Sequence, residues 1–521
     1  MKREPTTNDR KPVISLSMIV RNEEKFLEGC LESVRDVVDE IVIVDTGSTD
    51  GTRDIAVRYG ATVISCDWSN DFSAARNEGL RNVRGAWVLY LDADERLAPG
   101  AGAILREAVK NNTSGGFRLM VCGKTASPSG VVEQRNPYPR LFRNHPLIRF
   151  QGKVHEQIGP SILKAGFAIL DCPVTIHHLG YSKSESINQQ KALRNLTILQ
   201  QEVGAHPEDW YLRFQKSATL MKLGAYEDAK GEMKQALQFG DVPPGMKATM
   251  FNFLAEIECR TGSAHSALQY CQSSLRLAPD QIMAHWYLVS AWMRLGRHDN
   301  ALVELQLLVD QECGSSDLQT IGYDVVVPRS EILIQIGACR EARKEFDLAL
   351  DAYLEVLQLC PDAPEALEGI AGIHPFLSNR THAIEALQEA LQKHSSSGIR
   401  LVLAGMYRNC RDVSRARAYL VEALESDPKT PAPYELMMKW ALDDNDLQQA
   451  AETYHGASEN GVTSVGLVRA SVDLALRTKD YHAALVQIQH LIPMIPKDSP
   501  VKQQIEALAE KLSARFTPQP H

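Results

Sequence analysis

Apolar residues follow two different rhythms along this chain. Between residues 13 and about 180 they come as short runs: VISLSMIV (13–20), EIVIVD (40–45), TVISC (62–66) and AWVLYLD (86–92). Stretches with helical spacing lie between them, over Glu23–Val37, from a Gly-Ser-Thr turn through Tyr59, and over Phe72–Asn82. Short apolar runs alternating with helical periods predict a mostly parallel sheet covered by helices, an α/β domain. Ligands of such sheets bind beyond the carboxyl ends of the strands, so the polar residues just after each run carry the interest.

From about residue 186 onward the pattern predicts no further strands. Leu, Ala and Tyr recur at helical spacing, and the pattern itself repeats. Alanines align at 229, 267, 301, 349, 383, 416, 450 and 484, with gaps of 38, 34, 48, 34, 33, 34 and 34 residues. Gly224-Ala225-Tyr226, Gly262 and Gly296 precede the first three, and Pro207, Pro279 and Pro361 stand where a repeat should begin. This period, with Trp286, Leu295, Gly296 and Ala301 in one copy, resembles the tetratricopeptide repeat, an all-α solenoid of stacked helix pairs. The long gap holds an insertion near 311–328. Each helix pair needs its neighbours to bury its apolar face, and stacking leaves an extended concave surface. That surface serves either as a scaffold for assembly, a homo-oligomer included, or as a groove for a polypeptide. The expected organisation is a polar N-terminus over 1–12, an α/β domain over 13–185, a linker helix over 186–206 and about eight repeats over 207–515.

The bulk numbers narrow the function. A net charge of −9 gives no basic face for nucleic acid. The first dozen residues contain no apolar stretch, and no apolar run approaches the ~20 residues needed to span a bilayer. Ten cysteines with no Cys-x-x-Cys pair read as reduced thiols packed like small apolar residues. A cytoplasmic location is expected.

Four polar clusters follow the predicted strands: Ile19-Val20-Arg21-Asn22-Glu23-Glu24, Asp45-Thr46-Gly47-Ser48-Thr49-Asp50, Phe72-Ser73-Ala74-Ala75-Arg76-Asn77 and Leu91-Asp92-Ala93-Asp94-Glu95. Asp45, leaving a buried strand, is placed to accept hydrogen bonds from a nucleobase. Gly47 permits a tight turn, with Ser48 or Asp50 as a helix cap. Arg76 offers a planar fork to a base edge or a phosphate. Asp92 and Asp94 make a hard-oxygen site for Mg²⁺ or Mn²⁺, which would neutralise a departing diphosphate.

In this order the clusters resemble the family 2 nucleotide-sugar glycosyltransferases, whose fold is called GT-A, over roughly residues 13–182. The resemblance implies that Asp45 and Arg76 contact the base, that Asp92 contacts ribose or metal, and that Asp94 ligates the metal directly. Val20, Asn22, Glu23 and Ala93 join the nucleotide-sugar site on the same ground. The family's Asp-Asp-Gly-Ser turn reads Asp-Thr-Gly-Ser here, so position 46 lacks its acid. The later stretches Arg140-Leu141-Phe142-Arg143, His155-Glu156 and His177-His178-Leu179-Gly180-Tyr181 are similar to a bacterial branch of the family. That branch contains sublancin-type peptide, flagellin and some lipopolysaccharide-core transferases.

Inverting displacement needs one general base near the acceptor. Glu156 is the candidate, with Asp171 behind it; the alternative for Glu156 is a structural carboxylate holding Arg140 or Arg143. His178 is the expected imidazole over diphosphate or metal, a role His177 could take instead. The Arg-rich segment 135–149 is expected at a diphosphate or acceptor loop. The expected chemistry is inverting transfer from a nucleotide sugar, a UDP-sugar, with Mn²⁺ or Mg²⁺, to a side chain of a protein or peptide such as flagellin or a secreted peptide. The rivals are a transferase for lipopolysaccharide or lipid-linked sugar, and a non-catalytic repeat protein with a decayed transferase domain. The intact Asp45, Arg76, Asp92 and Asp94 argue against the last.

Overall fold

In the computed structural model Ile14–Val20 forms the first strand, β1, and every residue but Ile19 is buried. Its hydroxyl residues are buried too, because backbone comes close: a Cβ at Gly79 would meet Ser17 Oγ, and Ser15 Oγ accepts from Gly85 N at 2.9 Å. The structure describes residues 13–110, 114–127, 130–179, 185–310, 324–496 and 499–513.

Helix and strand then alternate through α1 (Glu24–Val34), β2 (Glu40–Asp45), α2 (Thr52–Arg58), β3 (Thr62–Ser65), α3 (Phe72–Asn82) and β4 (Trp87–Tyr90). β3, β2, β1 and β4 are neighbours in that order and all parallel, so their carboxyl ends share one edge. β5 (Glu95–Leu97), α4 (Ala101–Ala108), β6 (Ser114–Ser127), β7 (Gly130–Arg143), α5 (Gly159–Lys164) and β8 (Ala168–His178) complete the domain. This second half is mixed: β7 runs antiparallel to β4 and β6, β6 parallel to β8, and β5 antiparallel to β8. One apolar core lies beneath the sheet against α1 and α4, and another lies under α3 and α5.

Next come α6 (Glu185–Ala205), α7 (Trp210–Lys222) and α8 (Tyr226–Ala236), then further paired helices. All eight aligned alanines are fully buried, and each is the fourth residue of its helix, from Ala229 in Tyr226–Ala236 to Ala484 in Tyr481–Leu491. A methyl is the largest side chain that lets paired helices approach so closely.

The expectation that strands end before the repeats fails at one place. Asp324–Val326, within the insertion, forms β9 and pairs antiparallel with Glu133–Arg135 of β7. The chain divides into two compact units, Met1–Ile332 and Leu333–His521. That division falls inside the repeats rather than near 185, because α6, α7 and β9 pack on the α/β domain. The second unit has helix pairs such as Ser397–Asn409 with Val413–Ser426 and Pro431–Asp443 with Leu447–Glu459.

Candidate functional site

The loops after β1 and β2 are sewn together. Asn22, in the left-handed region at φ 54°, donates its backbone N–H to Ser48 Oγ at 3.0 Å and accepts from Thr49 N at 2.8 Å. Glu23 N donates to Thr52 Oγ1 at 2.8 Å, and Thr46 N and Oγ1 both donate to the Val20 carbonyl. Thr46 thus ties β2 to β1 where the family has an acid. Gly47, at φ 103°, takes a conformation that a side chain would strain. Asp50 Oδ1 accepts from Thr52 N at the start of α2, while the Ser48 hydroxyl serves Asp45 instead.

Asp45 is 2% exposed. Its Oδ1 accepts from Ser48 N and Oγ, and its Oδ2 from Arg53 at 3.1 Å. The side chains of Val20 and Ala93 lie in the apolar core, and the Ala93 carbonyl accepts from Arg96.

Arg76 is the hub. Asp71 caps α3 by accepting from Ala74 N, and the helix then carries Arg76 inward beneath Tyr90 and Phe150, whose ring centroids lie 4.9 and 5.5 Å away. Arg76 Nη2 donates to Asp92 Oδ1 at 2.8 Å, and Nε to Glu156 Oε1 at 2.5 Å. Burial works against ionising Asp92, but the Arg76 and Arg140 guanidiniums overcome it and hold the carboxyl well below its usual range. Glu156 therefore does hold an arginine, but Arg76 rather than Arg140 or Arg143. Asp45 and Arg76, the expected base contacts, make separate sets of bonds. Asp45 ends β2 and is bonded to Ser48 and Arg53, whereas Arg76 lies in α3 and is committed to two carboxylates, Asp92 and Glu156.

Behind this hub lies a pair the sequence reading missed. Glu95, fully buried, accepts from Arg140 Nη2 at 2.7 Å and from Asp92 N at 2.9 Å. Arg140 stacks 4.4 Å from the Tyr90 ring. Burial pushes the Glu95 carboxyl up to about 7 against the pull of Arg140. The signal lay in the acid one place beyond Asp-x-Asp and in an arginine within an apolar strand. Of the other arginines of 135–149, Arg143 Nε donates to the Ser114 carbonyl, and Arg149 braces the carbonyls of His145 and Ile148.

Asp94 and His178 face each other, with Oδ1 and Nε2 3.6 Å apart. The pairing of Glu95 with His178 in the β5–β8 register brings them together. Asp94 is not the solvated carboxylate its loop suggests, since its side chain is 13% exposed. His177 pairs with Arg96 at the next register position; Gly180 and Tyr181 lie outside the described residues. Among the described residues no three His, Cys, Asp or Glu side chains converge as a metal cage. Two convergent donors nonetheless fit a divalent ion that completes its shell with phosphate oxygens and water.

Asp171 stands apart. It lies seven residues from His178 along β8, roughly 23 Å at strand rise, where it pairs with Arg118 Nε at 2.7 Å. It drops out of the site.

His155 takes a left-handed φ of 54°, and its Nε2 is buried without a hydrogen-bond partner. Burial, with Lys222 nearby, pushes its imidazole down to about 4, so the ring is neutral at pH 7.

The described cysteines are free, and no described helix is long and apolar enough to cross a membrane. The sequence profile of Glycosyl transferase family 2 matches residues 15–174. A TPR repeat-containing protein of Synechococcus elongatus is 35% identical over 291 residues, 54% of this chain and 70% of that protein. The SPbeta prophage-derived glycosyltransferase SunS of Bacillus subtilis is 28% identical over 222 residues, 40% of this chain and half of SunS. The lipopolysaccharide core biosynthesis glycosyltransferase LpsC of Rhizobium meliloti is 31% identical over 161 residues, 28% of this chain and 57% of LpsC. A parallel sheet whose strand ends gather these acids and Arg76, followed by stacked helix pairs and matched by these relatives, places the chain in the family 2 glycosyltransferases, with its catalytic domain joined to tetratricopeptide repeats.

Proposed function

We propose that the protein transfers a sugar, with inversion, from a UDP-sugar to a side chain of a protein or peptide, and that the repeats bind the acceptor. The observation that carries this reading is the gathering of Asp45, Asp92, Asp94, His178 and Glu156 along one sheet edge, with Arg76 joining two of them. Asn22, Glu23 and the Asp45 turn border the nucleotide. Asp94 and His178 would hold Mn²⁺ or Mg²⁺, which supplies charge neutralisation for the departing diphosphate; imidazole favours Mn²⁺.

The chain's own groups do the rest. Arg76 fixes Glu156 and Asp92 in place. The acceptor oxygen attacks the anomeric carbon as the bond from that carbon to the phosphate oxygen breaks. The leaving diphosphate keeps the electron pair. The acceptor proton passes to Glu156, whose Oε1 is held by Arg76, so Oε2 is the oxygen that takes it. A second acceptor class, a lipopolysaccharide core sugar, draws on the likeness to LpsC.

Two measurements test the reading. Incubation with labelled UDP-sugars and either a protein or a lipid extract should label protein; label in lipid alone would replace the acceptor. Asp94→Asn, which keeps the side-chain shape, should cut metal-dependent nucleotide release by roughly a hundredfold or more at an unchanged melting temperature. Unchanged release would remove Asp94 from the site.

A further inference from the structure

The loop that carries Glu156 is gripped from two sides. Gln151 and Gln157 pinch its base by exchanging backbone hydrogen bonds of 2.9 Å. On the sheet side α3 holds it: Phe72 N donates to the Lys153 carbonyl at 2.8 Å, Ser73 Oγ to the Gly152 carbonyl at 2.6 Å, and Arg76 to Glu156. On the other side the grip comes from the helical region, with Phe72 of α3 packed at its edge. Val154 is buried among Ile198, Leu199 and Val203 of α6 and Leu212 of α7. Lys153 Nζ meets Glu202 Oε1 at 2.8 Å. Gln157 Nε2 donates to Tyr211 Oη at 2.6 Å.

Tyr211 is itself fixed. It lies in the first turn of α7, where Asp209 accepts from its N–H at 2.8 Å and from Leu212 N at 3.1 Å. Its ring lies 5.8 Å from Trp210 and 6.4 Å from Phe214. Burial and the nearby Tyr138 and Glu156 hold its hydroxyl protonated. The Tyr211 hydroxyl thus meets the side chain of the residue that follows Glu156.

We propose that Tyr211, from the first repeat helix, is a positioning residue for the transfer reaction, acting through Gln157 on Glu156. The first repeat is thus part of the catalytic body, and this rests on the transferase reading above. Positioning errors of an ångström are costly in rate while leaving binding almost intact, so the signature is a loss in kcat rather than in KM.

The test uses the full chain, water as acceptor and UDP-glucose with Mn²⁺ as probe, within a panel of UDP-sugars, reading nucleotide release. Tyr211→Phe keeps the ring and removes the hydroxyl. It should lower kcat about tenfold, with the donor KM within about twofold and the melting temperature unchanged. Gln157→Leu should give a similar loss, and the double variant should lose no more than either single one, because the two groups act as a unit. Wild-type kcat in Tyr211→Phe, or multiplying losses in the double variant, would overturn the positioning role alone. If the unaltered protein released no nucleotide from any UDP-sugar, the transferase reading would fall first and the positioning role with it.

Discussion

The first compact unit buries Asp45, Arg76, Glu95 and Arg140 to under a tenth of their surface, whereas the second, among its described residues, buries no Asp, Glu, Lys or Arg so deeply. Its interior is Ala, Leu, Ile and Tyr, with charges kept to exposed or half-exposed pairs such as Arg477–Asp473. Buried ion pairs are poor sources of net stability, and breaking one is costly. The second unit's helical stack does without them, since small residues and close approach suffice, although in the first unit the repeat helix Pro244–Thr261 buries Glu258 against Lys230. The α/β unit keeps them at its strand ends, beside the candidate chemistry, where orientation matters more than stability.

The largest expected effect comes from unpairing a buried charge. Arg140→Ala leaves Glu95 facing no guanidinium, and should cost the first unit about 3–5 kcal/mol in denaturant unfolding. Adding Glu95→Leu to Arg140→Met should recover most of that loss. No recovery would mean that the pair does more than satisfy itself.

The matching change in the second unit is steric. The Tyr353 ring lies between Gly337 and Gly369, where an added Cβ at either would collide with it. Gly369→Ala should cost about 1–3 kcal/mol by overpacking, seen as a lower denaturation midpoint for the second unit. An unaffected midpoint would show that the helices can part to admit a methyl group.

A smaller difference should separate the units in acid. Asp92 is held low by Arg76 and Arg140 against its burial. Glu40 is held low, also against its burial, by Ser15 and Arg84, and Asp39 by the backbone N–H groups of Ile14 and Val13 and by Arg106. A depressed carboxylate stabilises the fold above its unfolded pKa of about 4, and that stability is lost as pH falls below it. The depressed acids of the second unit, Glu389 and Asp427, lie at its surface. Protection of amides from exchange, taken relative to the intrinsic rate at each pH from 5 to 3, should therefore be lost first in the first unit. Simultaneous loss would remove the contrast.

Much of this contrast could be read along the chain. The runs at 14–20, 40–45 and 87–90 and the helix at 72–82 stand where periodicity put them, because a strand buried on both faces and an amphipathic helix are local patterns. The repeat alanines were legible for the same reason, since each copy states the same packing need. Strand β9 was not, since three residues in an insertion carry no periodicity and pair only because β7 offers an edge. At the site, local order identified the acids but not their partners. Glu156 was expected near Arg140 or Arg143 and met Arg76, eighty positions away. Asp171 had the right chemistry at the wrong end of its strand.

The sequence by itself determined two architectures and the residue types at the strand ends, since hydrophobic period and turn chemistry are short-range properties. The tertiary structure alone decided which acid meets which guanidinium, that Asp94 faces His178, and that a repeat helix grips the Glu156 loop. Such pairings depend on sheet register and on helices packing from far along the chain, and no local pattern encodes either.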